Sequence, residues 1–438
     1  MKSAISESMV SALKQVVRFR DGIVYSLAGA VAGQGASFAV SLILANLLGK
    51  QLFGEYSMIL STILTVSLIG QLGTGYAASK YIAELRLVDT IRASRVLGLL
   101  AAMSRISAFV AAGMYFIGAN ALSEKLFQSE DLMVAHWVGS IAVLFSVMNG
   151  FAMGTLAGLE AYRAAAIVTG LGGTANVILG ASLAFHWGTT GAIAGLALSS
   201  MIQWHVSRTA VRRLCEDHGI FPTFRNALLE KHVLTRFALP GALSGLTSMP
   251  AMWLANASLA IGPGGFERLA IYSASLSIMR MVGFLPGVIN TVGMTLINTY
   301  RGANDQAQYK AAFSLNLLTT LVSSTLMAVV LGLFAKQVLA IFGAGYEEGI
   351  ITLLILLAAG VIESAVLALN QVVQSKEKMW FAILAINLPR DGALIALAFA
   401  LGPLLGHKGV ALAFLLSRVV ALGSMLISVR SFGLSLAR

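Results

Sequence analysis

Apolar residues along this chain come in long blocks separated by short polar punctuation. Windows of about twenty apolar residues, the length that crosses a bilayer as a helix, begin near Gly22, Tyr56, Val96, Val134, Ala164, Gly191, Phe237, Leu269, Ala311, Gly349, Trp380 and Gly409. Twelve such blocks predict an all-α, polytopic membrane protein. Their loops are short, except where "RTAVRRLCEDHGIFPTFRNALLEKHVLTR", Arg208 to Arg236, breaks the pattern and divides six spans from six. The expected organisation is a cytoplasmic lead-in over 1–21, a six-helix bundle over 22–207, a cytoplasmic linker over 208–236, a second six-helix bundle over 237–430 and a tail over 431–438. Within the lead-in, Met9, Leu13, Val16 and Val17 share a helical face opposite Lys14, Arg18 and Arg20. That is the spacing of an interfacial helix or of an ordinary amphipathic lead-in.

Composition strengthens the membrane assignment: 57% of residues are hydrophobic, 11% are charged, and the mean hydropathy is +0.83. No soluble globular chain has that balance. Forty-four glycines against seven prolines suit closely packed membrane helices, and the single Cys215 excludes an intrachain disulfide. The net charge of +11 does not indicate nucleic acid, because the basic residues are scattered through short loops instead of forming a basic domain. The charged stretch before the first apolar block is unlike a cleavable signal, so the amino terminus is expected to stay on the chain. With loops assigned alternately to two sides, twenty-one of the thirty Lys and Arg fall on one side and five on the other, the remaining four lying inside spans. The positive-inside rule then places both termini and the middle loop in the cytoplasm; a multi-pass inner (plasma) membrane protein is the expectation.

The halves also echo one another. "EYSMILSTILTVSLIGQLG" from Glu55 superimposes on "IYSASLSIMRMVGFLPGVI" from Ile271 with Tyr56 on Tyr272, an offset of 216. "GAIAGLALSS" from Gly191 matches "GVALAFLLSR" from Gly409 at 218, and Asn176 lies opposite Asp391 at 215, whereas half the chain is 219. With an even number of spans per half this is a parallel repeat, an architecture that places substrate between the halves near the mid-plane.

The segment "NLLGKQLFGEYSMI" (Asn46 to Ile59), followed by "GQLGTGYAASKYIAE" (Gly70 to Glu84), resembles the polysaccharide-transporter family, the Wzx-type flippases of lipid-linked oligosaccharides. The family pattern reads R-x-L-G-P-x-x-F-G-x-Y, then a glycine-rich helix end with a basic residue before I-A-E. Leu48, Gly49, Phe53, Gly54 and Tyr56 match it, as do Gly73, Lys80, Ile82, Ala83 and Glu84, while Asn46 replaces the arginine and Lys50 the proline. A phosphate role for that arginine does not carry over, and Lys80 is the nearest basic substitute. The resemblance implies two six-helix bundles around a central cavity open alternately to either side. Its implied cargo is an undecaprenyl-pyrophosphate-linked glycan bound for O-antigen, capsule or exopolysaccharide. Implied partners are membrane lipids and the polysaccharide polymerase and chain-length machinery, and no cofactor is implied. The glycines fit a moving helix: Gly70, Gly73 and Gly75 permit bending or close packing, and Gly49 and Gly54 suit a tight outer turn.

Candidate chemistry sits inside the spans. Arg105 lies nine residues from the start of its span, Arg280 eleven, Arg390 ten and Arg418 nine. At about 1.5 Å per residue all four are about 14 to 17 Å deep, the middle of a hydrocarbon core about 30 Å thick. Only Glu363 and Asp391 are intramembrane acids, so there is an excess of cations that must line water, pair, or meet an anionic ligand. A pyrophosphate complements guanidinium groups through bidentate, charge-assisted contacts. Arg280, Arg105, Arg418, Arg390 and Lys80 are therefore the candidate substrate-binding residues. Structural ion pairing is the alternative, above all for Arg390 and Arg418, with Glu363 or Asp391 as partner. Pro389 removes a helical hydrogen bond and predicts a bend with a freed carbonyl near residue 385. Asn387 and Asp391, at i and i+4, share a face and with Glu363 are candidates to hold a coupling proton or sodium ion.

The histidines are dispersed, with His186, His218, His232 and His407 at loops or span ends, and neither a metal cluster nor a catalytic constellation is legible. An enzyme of the same pathway, a glycan polymerase or glycosyltransferase, is expected to carry sizeable outer loops with reactive side chains, and here those loops are short. A multidrug and toxin extruder shares the two-bundle architecture but takes cations, which a net basic cavity disfavours. A peptidoglycan lipid-precursor flippase remains a third alternative to the oligosaccharide-lipid flippase.

Overall fold

The computed structural model describes residues 2–127, 129, 131–234, 247–290, 293, 300, 305–375 and 379–431. Its helices are α1 (Lys2–Gln71), α2 (Thr74–Leu85), α3 (Thr90–Asn120), α4 (Leu132–Gly158), α5 (Tyr162–Asp217), α6 (Ser248–Ala260), α7 (Gly265–Met279), α8 (Phe284–Asn290), α9 (Gln306–Leu333), α10 (Ala335–Ala340), α11 (Ile350–Ser375), α12 (Leu388–Leu405) and α13 (His407–Ser431). Among the described residues there is no strand. The protein is an all-α, polytopic membrane protein: eight of its helices are long and apolar enough to cross a bilayer, and α7 with α8, bent by 42°, pass the same test of length and composition when taken together.

Two of these helices each contain two crossings. α1 breaks at Gly49 (φ 71, ψ 177), and α5 at Trp187 and Gly188, where Gly188 has φ 54 and ψ −134. These backbone angles lie where only glycine is unstrained. The remaining predicted span would begin at Phe237, which lies outside the described residues; α6 is its described part. The face formed by Met9, Leu13, Val16 and Val17 against Lys14, Arg18 and Arg20 also lies on side chains outside the described residues, although the backbone there is helical.

The internal repeat survives at atomic detail. Gly406, between α12 and α13, has φ 59 and ψ −138, nearly the angles of Gly188 in the first half. Just beyond each break the returning helix crosses its predecessor at backbone distance. A β-carbon on Gly191 would stand 2.0 Å from the Leu183 carbonyl oxygen, and one on Gly409 would stand 2.1 Å from that of Leu401. Tyr56 and Tyr272 are both buried at matching positions in one continuous core that joins the halves.

Two sequence expectations change in detail. Gly49 makes the turn, but Gly54 lies inside helix α1, where a β-carbon would fall 1.9 Å from the Phe266 carbonyl oxygen of the other half. Gly54 is thus a contact glycine between halves, not a turn residue. Pro389 does not break its span: it sits in the first turn of α12, and a π-helical turn over Ile383–Asn387 absorbs the missing hydrogen bond. The other glycines follow expectation, with the bend at Leu72 and Gly73 (φ 46 and 68) and close packing of Gly75 on the Gly150 carbonyl.

Ion pairs gather at the two ends. At one, Arg86 pairs with Glu160, while Arg92 and Arg95 pair with Glu230 at 3.1 and 3.3 Å. At the other, Lys50 meets Glu348 at 3.6 Å and Lys336 meets Glu347 at 3.9 Å. The loops sharing each end are those that the alternating assignment puts on one side of the membrane.

Candidate functional site: a central cavity between the halves

Contact between the halves runs along one side of α1 and concentrates at the Lys50 end. There the Asn46 side-chain amide donates to the Ile341 carbonyl at 2.7 Å, the Phe53 ring meets Tyr346 edge-on, and Gly54 rests on Phe266. Deeper in the membrane the Trp253 indole donates to Thr62 at 2.9 Å and the Asn256 amide donates to Ser61 at 2.9 Å. Three of these residues, Asn46, Phe53 and Gly54, belong to the motif segment read from the sequence. Asn46 stands where the family has arginine, and it latches one half to the other through a neutral hydrogen bond.

Beyond this closure the halves separate around a cavity. Its larger lobe, about 440 Å³, is lined by Gln34, Ser37 and Ser41 of α1, Asn176 of α5, and Ser277 and Arg280 of the second half. A smaller lobe of about 280 Å³ shares Gln34 and Arg280 and adds Glu363, Ser364 and Arg418. Its rim carries exposed apolar side chains, Val31 and Leu64. Arg280 sits where α7 ends and the chain turns before α8, so the break in the eighth span aims a guanidinium into the space between halves.

Among the described residues the cavity has one acid, and that acid is engaged. Glu363 pairs with Arg418 at 3.4 Å, and the Arg418 guanidinium lies 4.0 Å over the Phe414 ring. Arg418 is 7% exposed, whereas Arg280 is open to both lobes and has no carboxylate within pairing distance among the described residues. The site therefore carries two arginines against one carboxylate: Glu363 pairs with Arg418 and acts on Arg280 only at longer range, which leaves a net positive charge. Such a pair favours an anion, and exclusion of water by a ligand would strengthen the contact.

The other candidates do not line these two lobes. Arg390 holds its neighbour Asp391 through two bonds of 2.8 and 2.9 Å and also donates to Ser248, so this charge is neutralised on its own helix. Asp391 is buried with both oxygens occupied, and Asn387 closes the π turn one helical turn earlier. Of the three residues grouped for ion coupling, Asp391 is held by Arg390 and Glu363 by Arg418, the two pairs lying near one another. Lys80, on α2, pairs with Glu84 at 4.0 Å. Arg105 faces a separate groove on the flank of the first half. The five basic candidates do not all converge: the fold brings Arg280 and Arg418 into one cavity, holds Arg390 with Asp391 near Arg418 but outside the cavity lining, and leaves Lys80 and Arg105 apart. Sequence reasoning missed Gln34, Ser41 and Ser277, single polar residues in apolar spans; only their positions on helix faces turned toward the other half distinguish them.

A model of the family described as polysaccharide biosynthesis protein matches residues 19–337. A curated relative from Ralstonia nicotianae, the EPS I polysaccharide export inner membrane protein EpsE, is 24% identical over 400 residues, 88% of each chain. Among solved structures, the lipid II flippase MurJ in an inward closed conformation is similar in fold, with a TM-score of 0.73 at 13% identity over 93% of this chain and 87% of that one. An outward-facing multidrug resistance transporter of the MATE family, in the MOP superfamily, matches with a TM-score of 0.71 at 17% identity over 94% of this chain and 95% of that one. At those identities the structures speak to fold alone.

Proposed function

Because the chain belongs to the polysaccharide biosynthesis protein family of membrane export transporters, we propose that it moves an undecaprenyl-pyrophosphate-linked oligosaccharide from the cytoplasmic to the outer leaflet by alternating access. It acts as a transporter and not as an enzyme. The observation that carries the proposal is Arg280, an uncompensated arginine at mid-depth in the cavity between the halves. Arg280 is the pyrophosphate anchor. Arg418 shapes the adjoining lobe and becomes available to phosphate when Glu363 releases it. Gln34, Asn176 and the cavity serines offer neutral hydrogen bonds suited to sugar hydroxyls. A cationic drug would lack a free acid here, since Glu363 is already paired. With both termini cytoplasmic, the latch at Asn46 and Gly54 is the outer gate, and this structure is the state closed to the outside.

Charge-assisted contacts contribute about 1.5 to 3 kcal/mol each. Arg280→Ala is therefore expected to weaken binding of undecaprenyl pyrophosphate to the purified chain by roughly tenfold to a hundredfold. Lysine restores part of this, because it keeps the charge and loses the planar fork. Arg280→Glu abolishes export, and lipid-linked glycan accumulates in the cytoplasmic leaflet. Normal surface polysaccharide from well-expressed Arg280→Ala and Arg280→Glu chains would remove Arg280 as the anchor.

A further inference from the structure

We infer that the groove on the flank of the first half is a binding site for an anionic glycerophospholipid, its phosphodiester held by Arg105 and Arg208. The groove has a volume of about 660 Å³ and shares no residue with the central cavity. Its walls are two rows at i, i+4 spacing, the geometry that stacks side chains along one helix face. Leu97, Ala101, Arg105 and Phe109 form the α3 wall, and Trp204, Arg208, Arg212 and Glu216 form the α5 wall, with Met148 and Ala152 of α4 as the floor.

Charge within the groove is one-sided. Arg212 donates to Glu216 at 2.9 Å and is neutralised. The Arg208 guanidinium rests 5.3 Å from the Trp204 ring, and Arg105 has no acidic partner within pairing distance among the described residues. Two uncompensated guanidinium groups thus share one groove. Arg105 is midway along α3, and its neighbours Ile106, Phe109 and Val110 are 66%, 65% and 54% exposed. On a helix that crosses the bilayer those side chains face acyl chains, so the groove opens to lipid and not to bulk water. Because Arg105 shares this groove with Arg208, at the start of the connection between the halves, its guanidinium reaches toward the cytoplasmic interface and not the mid-plane expected from its place in the span, and there an anion can meet it. Basic pockets between membrane helices on the cytoplasmic side bind anionic headgroups.

The groove is also closed at its polar end by a built element. The loop after α5 folds back onto α3, where the Phe221 amide donates to the Ser94 hydroxyl at 2.9 Å and the Thr223 amide to the Ser94 carbonyl at 3.2 Å. It lies so close that a β-carbon on Gly98 would be 2.1 Å from the Thr223 carbonyl oxygen. The loop stops the headgroup, the arginines take the phosphate, and the apolar floor between Phe109 and Trp204 takes the first part of an acyl chain. This site is independent of the transport reaction proposed above.

Trp204 lies in the wall and reports occupancy. The full chain and its Trp204→Phe variant are placed in nanodiscs with phosphatidylglycerol or phosphatidylcholine brominated near the headgroup, and the Trp204 emission is taken by difference. Brominated phosphatidylglycerol is expected to quench it at a mole fraction roughly tenfold or more below that required for phosphatidylcholine, at about fivefold per arginine. Arg105→Gln with Arg208→Gln removes the preference, while the corresponding double lysine variant keeps part of it. Equal quenching by the two lipids, or a preference that survives the double glutamine variant, overturns the site. A measurement without substitutions guards against misfolding: native mass spectra of the wild-type chain should retain one phosphatidylglycerol where phosphatidylcholine is lost. Equal retention likewise overturns the site.

Discussion

Arg418 and Glu363 form a pair whose two members differ in access to water, the arginine side chain being 8% exposed and the glutamate 34%. Removing one partner of a buried pair strands the other, and the penalty follows the burial of the survivor. Glu363→Gln strands a nearly enclosed guanidinium, whereas Arg418→Met strands a carboxylate that the cavity can hydrate. Thermal unfolding in detergent should therefore show Glu363→Gln as the more damaging change, by about 1 to 3 kcal/mol. Binding should move the opposite way: freed from Glu363, Arg418 adds to anion affinity, so Glu363→Gln binds pyrophosphate more tightly. If the two variants unfold alike, the asymmetry argument is wrong. Asp391 belongs to a different case. Its oxygens already accept from Arg390 and Ser248, so Asp391→Asn is expected to lower stability while leaving any dependence of transport on a proton or sodium gradient unchanged. A changed ion dependence at equal stability would return Asp391 to the role of ion carrier.

At the scale of elements, glycine sets how closely helices meet and therefore which surfaces act as joints. Gly191 and Gly409 occupy equivalent crossings in the two halves, each against the carbonyl of the preceding helix. Alanine at either position forces the two helices apart at the same place in the fold, and both variants should lose stability by similar amounts, about 1 to 3 kcal/mol. A large loss at one and none at the other would show that the repeat is only approximate in packing. Gly54 is a crossing of another kind, because it joins the halves and not two helices of one bundle. Gly54→Val should leave each bundle intact and prevent the gate from closing. Spin labels on Leu52 and Lys336, one on each half, would then report a longer distance than in the wild-type chain, and an unchanged distance would count against the gate assignment.

For the whole molecule, the proposed direction of transport depends on which end faces the cytoplasm. Cys215 is a poor reporter of this although it lies in the long middle segment, since the α5 helix continues through it and packs it in a secondary core at 1% exposure. Leu228, 76% exposed on the same connection, is the better position. In a Cys215→Ala background, Leu228→Cys is expected to resist a membrane-impermeant thiol reagent in intact spheroplasts and to react once the inner face is opened. Labelling of intact spheroplasts would invert the orientation, and with it the assignment of the closed gate to the outer side.

What the sequence determined by itself was the class of fold, because hydropathy acts over about twenty residues at a time and needs no knowledge of neighbours. The repeat was legible from matched segments, Tyr56 with Tyr272 and Gly191 with Gly409, and the structure adds Gly188 with Gly406, where local backbone geometry admits little else. The motif from Asn46 to Tyr56 was readable as a resemblance, yet its use in joining the halves was not. Charge location was legible as depth along a helix, which follows from a fixed rise per residue. The direction in which each charge points was not, since it depends on rotation about the helix axis and on how the helices pack. The four intramembrane arginines of the sequence thus resolve into Arg280 in the cavity, Arg418 and Arg390 each held by an acid, and Arg105 in a separate groove on the flank of the first half. Only tertiary structure could decide among them, because in a low-dielectric interior the role of a charge is set by partners within a few ångströms, and here those partners come from other helices or from the rotation of the same one.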